Sequence, residues 1–145
     1  MASVTSVNIS EKKGMRKRQV ERIELRKGHG IVGDAHAGDW HRQISLLAEE
    51  SIDTMRAMGL ETLTPGAFAE NINTEGIELK SLAVGTLLRI GACVLRVTQI
   101  GKECHHDGCS IQKATGHCVM PLEGIFAVVI EEGFVQSGDA ISVMD

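Results

Sequence analysis

The chain is poor in aromatic residues: among 145 residues it has no tyrosine, three phenylalanines and one tryptophan. Proteins that bind single-stranded nucleic acid usually stack the bases on aromatic side chains. The net charge of −4 also opposes attraction of the whole chain to a polyanion. We therefore expect no nucleic-acid partner.

A secretion signal and long apolar runs are also missing. The first ten residues, MASVTSVNIS, have neither the basic start nor the apolar block of a signal peptide. No apolar run is long enough to span a bilayer. We expect a cytoplasmic protein without a membrane partner, in which the four cysteines are free thiols or metal ligands rather than disulfides.

Short β-like segments between glycine-rich turns dominate the sequence. The run ISLLA at 44–48 is typical of a buried strand, and EESIDTMRAM at 49–58 has the spacing of a helix. A length of 145 residues suits one core. We predict a single domain over residues 1–145, mainly β and barrel-like, with one or two short helices. Further strands are predicted at 3–9, 20–25, 67–73, 85–91, 93–101, 124–133 and 139–144.

Two loops collect charged residues and histidines. SEKKGMRKRQ at 10–19 reads as the loop of a long hairpin, and GHGIVGDAHAGDWHRQ at 28–43 has four glycines and three histidines. The second loop can bind an anion or shuttle a proton. In a structural alternative, Asp34 pairs with Arg42 and the histidines form hydrogen bonds to the backbone. We favour a functional role for His41 and Arg42, because they directly precede a predicted strand, which can hold a side chain rigidly. The charged and histidine residues concerned are Asp34, His36, Asp39, His41 and Arg42.

The stretch GKECHHDGCSIQKATGHCVMP at 101–121 holds three of the four cysteines and three of the six histidines. Thiolate and imidazole are the usual zinc ligands, but no second CxxC or HxxxH pair follows at the spacing of a zinc finger. The alternatives are a packed, inert thiol and a thiolate activated by neighbouring cationic groups. Such a thiolate can accept sulfur from a persulfide or bind a soft metal. The zinc alternative uses Cys104, His105, His106, Cys109, His117 and Cys118.

Cys104 is the thiol that we favour, because it follows the predicted strand 93–101 and a strand end can present it at the surface. Lys102, His105 and His106 would provide its cationic surroundings. Each remaining cysteine has its own interpretation: Cys109 as a resolving thiol, Cys93 as a small core residue and Cys118 as a packing residue.

Several blocks of the sequence, in this order, resemble the MOSC family, which is named after the C-terminal domain of molybdenum-cofactor sulfurases. The chain resembles its small stand-alone type. The resemblance implies a closed β-barrel of complex topology, like the pyruvate-kinase β-barrel. The blocks are S-KKG at 10–14, GIVGDAHAGDWHRQISLL at 30–47, PGAFAENINTEGI at 65–77, VGTLLRIG at 84–91, VTQIGKECH at 97–105 and CVMPLEGIFAVVIEEGFVQSGDAI at 118–141.

The resemblance also implies a role in molybdenum-cofactor metabolism. Cys104 matches the family cysteine, which carries sulfur as a persulfide or ligates molybdenum, and His105 and His41 are predicted to act with it. A pyridoxal-phosphate cysteine desulfurase is the expected sulfur donor, and molybdopterin or molybdoenzyme-maturation proteins are the expected partners. Two alternatives remain: a module that binds and delivers molybdopterin without chemistry, and a molybdenum-dependent reductase of N-hydroxylated substrates.

A further set of residues is predicted to bind the molybdenum cofactor, molybdopterin. The resemblance places a serine, two lysines and an asparagine near its phosphate-bearing pterin, and cationic and N–H donors suit a phosphate. Relatives that use the cofactor have an arginine two residues before the asparagine, where this chain has Ala69. With the loop arginine added, the cofactor-binding residues are Ser10, Lys12, Lys13, Arg42 and Asn71.

Overall fold

The structure, a computed structural model, describes residues 2–12, 17–57, 65–66, 68–101 and 124–144. Within these ranges the chain is mainly β with one short α-helix, which confirms the predicted class. No helix there is long and apolar enough to cross a membrane. The strands are β1 (Ser3–Ile9), β2 (Arg18–Val20), β3 (Arg22–Arg26), β4 (Gly30–Ile31), β5 (Ile44–Ala48), β6 (Ile72–Glu75), β7 (Leu87–Ile90), β8 (Cys93–Ile100), β9 (Ile125–Glu131), β10 (Gly133–Gln136) and β11 (Ile141–Met144); the helices are α1 (Glu49–Ala57) and a 3-10 turn (Leu79–Ser81).

Eight strands form the large sheet, in the order β11-β7-β8-β9-β5-β6-β1-β2. Its neighbours pair antiparallel except β5 and β6, which run parallel. The predicted closed barrel is not confirmed, because β11 and β2 are the two edges of an open sheet in the described part of the chain. One isolated bridge, between Ser3 and Ala140, joins the start of β1 to the residue before β11.

The small sheet has the order β10-β3-β4 and contributes to the same hydrophobic cluster as the large sheet. In β3 the side chains alternate: Ile23 and Leu25 are buried, whereas Arg22 and Arg26 are exposed. β5 is buried at all five positions, as expected for a strand with neighbours on both sides and cover on both faces. Hydrophobic burial of these strands supplies the main driving force for the fold.

Two predicted strands differ from the structure. The predicted strand 20–25 breaks at Glu21, so that β2 belongs to the large sheet and β3 to the small one. The predicted strand 67–73 begins only at Ile72. Before it, Ala69 has a φ of 65°, a left-handed conformation that strands do not adopt.

Candidate functional site

A buried lysine connects the basic hairpin to the histidine-rich loop. The side chains of Lys17 and Asp34 are both fully buried, and Nζ of Lys17 lies 2.8 Å from Oδ1 of Asp34. The same ammonium donates to Oγ of Ser10 at 3.1 Å and contacts Nδ1 of His36 at 2.9 Å. An ammonium has three N–H donors, so these three acceptors account for all of them. Because lysine offers no acceptor, Nδ1 of His36 accepts this bond.

Besides pairing with Lys17, Asp34 also fixes the backbone of the loop. Its Oδ1 accepts the backbone N–H of Ser10 at 3.0 Å, and its Oδ2 accepts that of His36 at 3.0 Å. The structural alternative in which Asp34 pairs with Arg42 is wrong, since its cationic partner is Lys17. Farther along the loop, Nε1 of Trp40 donates to the carbonyl of His36 at 2.7 Å. Side chains therefore fix both halves of the loop at 28–43: Asp34 holds the first half and Trp40 the second.

Asn71 belongs to a second buried network, which joins it to β1 and β5. Its Oδ1 accepts the backbone N–H of Ser45 at 2.9 Å, and its Nδ2 donates to the carbonyl of Asn8 at 3.1 Å. The next residue back, Glu70, accepts N–H groups of Gly66 at 3.1 Å and Phe68 at 2.9 Å. These bonds fix the turn that leads into β6.

The Glu70 carboxyl is fully buried. Burial raises the pKa of Glu70 above its ordinary value, while hydrogen bonds from the Asn73 amide and from the backbone act in the opposite direction. The neutral form is thus favoured more in the folded chain than in the unfolded one. The Glu70 carboxyl therefore favours folding most at acidic pH.

We expect the stability contributed by Glu70 to be lost as the pH rises from the ordinary glutamate pKa, about 4.3, through its raised value. Relative to Glu70→Gln, which does not titrate, the wild-type protein should lose free energy of unfolding over the pH range that begins near about 4.3 and extends upward. Urea titrations of both proteins across that range measure the difference. Glu75→Gln is the matched control, because it makes the same change of side chain at an exposed position. A pH-independent difference for Glu70→Gln would contradict the expectation.

His41 and Arg42 share one acceptor on β8. Nε2 of His41 lies 3.0 Å from Oε1 of Gln99, and Nε of Arg42 donates to the same oxygen at 3.1 Å. The Arg42 guanidinium also lies over the ring of Phe126, with its carbon 5.3 Å from the ring centroid, which suits a cation–π contact. His41 is exposed and Arg42 is partly buried. We call Gln99, His41 and Arg42 the glutamine cluster.

The glutamine cluster lies where β8 ends and β9 begins. Nε2 of Gln99 donates to the carbonyl of Gly101 at 2.6 Å, and the Gly101 N–H donates to Gly124 at 2.6 Å. Gly101 and Gly124, the described residues on either side of the segment 102–123, are therefore paired with each other beside His41 and Arg42. Residues 102–123, with Cys104, His105, Cys109 and Cys118, lie outside the described residues. The zinc alternative, which needs those residues, is therefore untested.

Comparison with known proteins identifies the family. The MOSC domain model matches residues 33–142, well over half of the chain. The chain belongs to the MOSC family. No curated protein matches the sequence at a significant level.

Solved structures share the MOSC fold described here. The YuaD protein of Bacillus subtilis matches with a TM-score of 0.80 and 22% identity, over 99% of this chain and 96% of that chain. YiiM from Geobacillus stearothermophilus matches with a TM-score of 0.73 and 17% identity, over 100% of this chain and 76% of that chain. YiiM from Escherichia coli gives 0.64 and 21%, over 98% and 70%. At these identities the likeness shows the fold alone.

The structure separates the predicted site residues of this MOSC protein into three places. Ser10 is buried beside Lys17 and Asn71 is buried in the second network, whereas His41 and Arg42 lie where β8 ends and β9 begins. Lys12 is exposed, and Lys13 lies outside the described residues. Among the described residues, no group of three or more His, Cys, Asp or Glu side chains could hold a metal ion.

Three polar residues with central places in these networks were not predicted as site residues. Lys17 and Gln99 bond to residues that distant parts of the chain supply, whereas the Glu70 carboxyl fixes the turn around itself. A weak signal exists for Gln99, since it follows the apolar run of β8 and comes just before a glycine-containing stretch rich in cysteine and histidine. The interpretation of Cys93 as a core residue agrees with its complete burial.

Proposed function

We propose that this MOSC protein is a sulfur carrier in molybdenum-cofactor metabolism, in which Cys104 accepts a sulfane sulfur as a persulfide. The observation that supports the proposal is the bonding of His41 and Arg42 to Gln99, at the point where the Cys104 segment leaves β8. A base and a cation are the two groups that activate a thiol. Both are held beside the strand end that leads to the thiol.

Covalent geometry limits the distance from the cluster to the thiol. Cys104 follows Gly101 by three residues, and an extended chain spans at most about 3.6 Å per residue, so the two Cα atoms are within about 11 Å of each other. Gly101 itself accepts a hydrogen bond from Gln99. Among the described residues, we therefore assign His41 and Arg42 as the ionisable side chains that act on Cys104.

The transfer requires no external oxidant or reductant. His41 takes the thiol proton, and the Cys104 thiolate attacks the outer sulfur of a persulfide on the donor. A new S–S bond forms at Cys104, the S–S bond of the donor breaks, and the donor cysteine leaves as a thiolate. His41 then returns the proton to that thiolate, so that a thiol and a persulfide have exchanged one sulfur atom. Arg42 stabilises the anionic sulfur during the exchange.

The residues predicted to bind the molybdenum cofactor give weaker support for direct cofactor chemistry. Ser10 and Asn71 are buried and bonded within the protein, and Ala69 stands where cofactor-using relatives have arginine. Ser10 and Asn71 therefore add no support for a phosphate-bearing pterin, and no step of the proposed sulfur transfer passes through that cofactor. Delivery of molybdopterin and reduction of N-hydroxylated substrates remain predictions, as does the molybdenum ligand role of Cys104.

Incubation with a pyridoxal-phosphate cysteine desulfurase and cysteine, followed by intact-protein mass spectrometry, tests the proposal. We expect a one-sulfur adduct that Cys104→Ser abolishes and that His41→Asn slows by about 100-fold, the usual size of general-base catalysis. Cys93→Ser is the matched control. Burial, aided by Asp139 and Glu131, raises the pKa of the Cys93 thiol to about 11, so this thiol stays neutral and unreactive. An adduct that persists in Cys104→Ser would refute the carrier function.

A further inference from the structure

Gln99 lies at an irregular point of β8. The register between β8 and β9 shifts between Val97 and Gln99, so that Val97 is opposite Ala127 and Gln99 is opposite Phe126. Such bulges commonly redirect a side chain and are frequent beside active sites. The intervening Thr98 hydroxyl donates to the backbone carbonyl of His41. β8 thus holds the histidine by its backbone and by its side chain.

The chemistry of its partners fixes the orientation of the Gln99 amide. The Gly101 carbonyl can only accept, so the group 2.6 Å from it is the amide NH₂. The Arg42 guanidinium can only donate, so the group 3.1 Å from its Nε is the amide oxygen. A flipped amide would set two acceptors against each other at Gly101 and two donors against each other at Arg42. Both neighbours therefore select the same orientation.

This orientation determines the state of the His41 ring. The amide oxygen of Gln99 lies 3.0 Å from Nε2 of His41, and an oxygen acceptor requires that Nε2 carries the proton. In the neutral ring the lone pair is then on Nδ1, which is the basic nitrogen. Among the described residues, the Trp40 ring packs edge-on against His41 at a centroid distance of 5.9 Å, and Arg42 is the charged neighbour that shares the Gln99 oxygen.

We propose that Gln99 is a positioning residue of this MOSC protein: its amide holds His41 with Nδ1 as the basic nitrogen and holds Arg42 beside it. The role in sulfur handling rests on the function proposed above, whereas the effect of Gln99 on His41 does not. Gln99 acts through the two side chains that it orients. The four residues involved, including Gly101, all lie within the described structure.

Two substitutions separate orientation from simple packing. Gln99→Glu keeps an oxygen for both His41 and Arg42, but it loses the bond to the Gly101 carbonyl and adds a negative charge, which should raise the pKa of His41 by about one unit or more. Gln99→Met has a similar length and forms none of the three hydrogen bonds. The exposed Gln136 on β10 provides the matched control, because Gln136→Glu makes the same change of charge elsewhere.

The first measurement is a ¹⁵N NMR titration of His41, assigned with His41→Asn, in the wild-type protein and in each Gln99 variant. We expect the wild-type ring to keep its proton on Nε2 at alkaline pH and the pKa of His41 to rise in Gln99→Glu but not in Gln136→Glu. The titration can be repeated in Cys104→Ser, so it does not depend on sulfur loading. An unchanged pKa of His41 in Gln99→Glu would overturn the proposal.

The second measurement is the rate of one-sulfur loading against pH. Gln99→Glu should move the rising limb of the profile to higher pH by the same amount as the pKa of His41, which a purely structural residue would not do. Gln99→Met should slow loading at least about tenfold. If the wild-type protein loads and Gln99→Met loads equally fast, Gln99 has no positioning role. If the wild-type protein does not load, the carrier function fails, and the NMR titration alone decides whether Gln99 sets the state of His41.

Discussion

Replacing Gly66 with alanine is expected to lower the free energy of unfolding by more than about 3 kcal/mol. A Cβ atom at this position would lie 2.0 Å from the carbonyl oxygen of Lys17 and 2.6 Å from its carbonyl carbon. Both are backbone atoms, so the clash cannot be relieved by a side-chain rotation. Gly66 also accepts the N–H of Lys17 and donates to Glu70, so that any shift weakens both buried networks.

Gly85→Ala separates the steric clash from the cost of the backbone conformation. Gly85 has a φ of +97°, close to the +86° of Gly66, but a Cβ there would meet nothing within 4 Å. Gly85→Ala should lower the free energy of unfolding by about 1–2 kcal/mol, the cost of the left-handed conformation alone. Urea denaturation followed by circular dichroism measures both variants. Equal losses at the two glycines would show that the contact with Lys17 has no energetic effect.

Removal of Asp34 should have the second large effect. Asp34→Ala leaves the fully buried Lys17 ammonium without its carboxylate partner, and breaking a buried pair by removing one member usually costs about 3–5 kcal/mol. The backbone N–H groups of Ser10 and His36 lose their acceptors in the same change. The free energy of unfolding from urea titration is again the measurement.

A double-mutant cycle tests the cause of that loss. The combined variant Lys17→Met Asp34→Asn removes both charges and is compared with the single variants Lys17→Met and Asp34→Asn. It should be more stable than Asp34→Asn, because no uncompensated charge stays buried. The exposed pair of Arg26 and Glu24 is the matched control, and Arg26→Met should change stability by less than about 1 kcal/mol. A loss at Asp34 as small as that at Arg26 would mean that the buried pair contributes little.

The pattern of apolar residues along the sequence correctly predicts β5 and α1. The apolar run at 44–48 coincides with β5, and α1 begins at the predicted residue. The same reasoning missed the break at Glu21, because the two flanking strands join different sheets and only tertiary pairing distinguishes them. It also extended the strand before β6 through Ala69, since nothing in the sequence alone indicates that a non-glycine residue adopts a positive φ.

The site shows the same division between local and distant information. His41 and Arg42 were predicted together because they are neighbours in sequence and precede a strand. Their common partner, Gln99, lies 57 positions beyond Arg42, and no local rule relates the two. Lys17 was likewise recognised only as one of many basic residues, because burial of a lysine depends on Asp34 from another loop. Long-range pairing of polar groups is what the residue pattern leaves undetermined.

The contact between the two ends of this sequence has a consequence for the order of folding. Val4 donates to the carbonyl of Asp139 and accepts from Gly138, both at 2.8 Å, beside the bridge from Ser3 to Ala140. During synthesis on the ribosome, β1 must therefore wait for some 130 further residues before these partners emerge. Closing so large a loop costs entropy before any hydrogen bond repays it, and such topologies fold slowly. β2 and β6 can pair with β1 earlier, so only the edge of Ser3 and Val4 that faces Asp139 is left open to pairing with other chains until then.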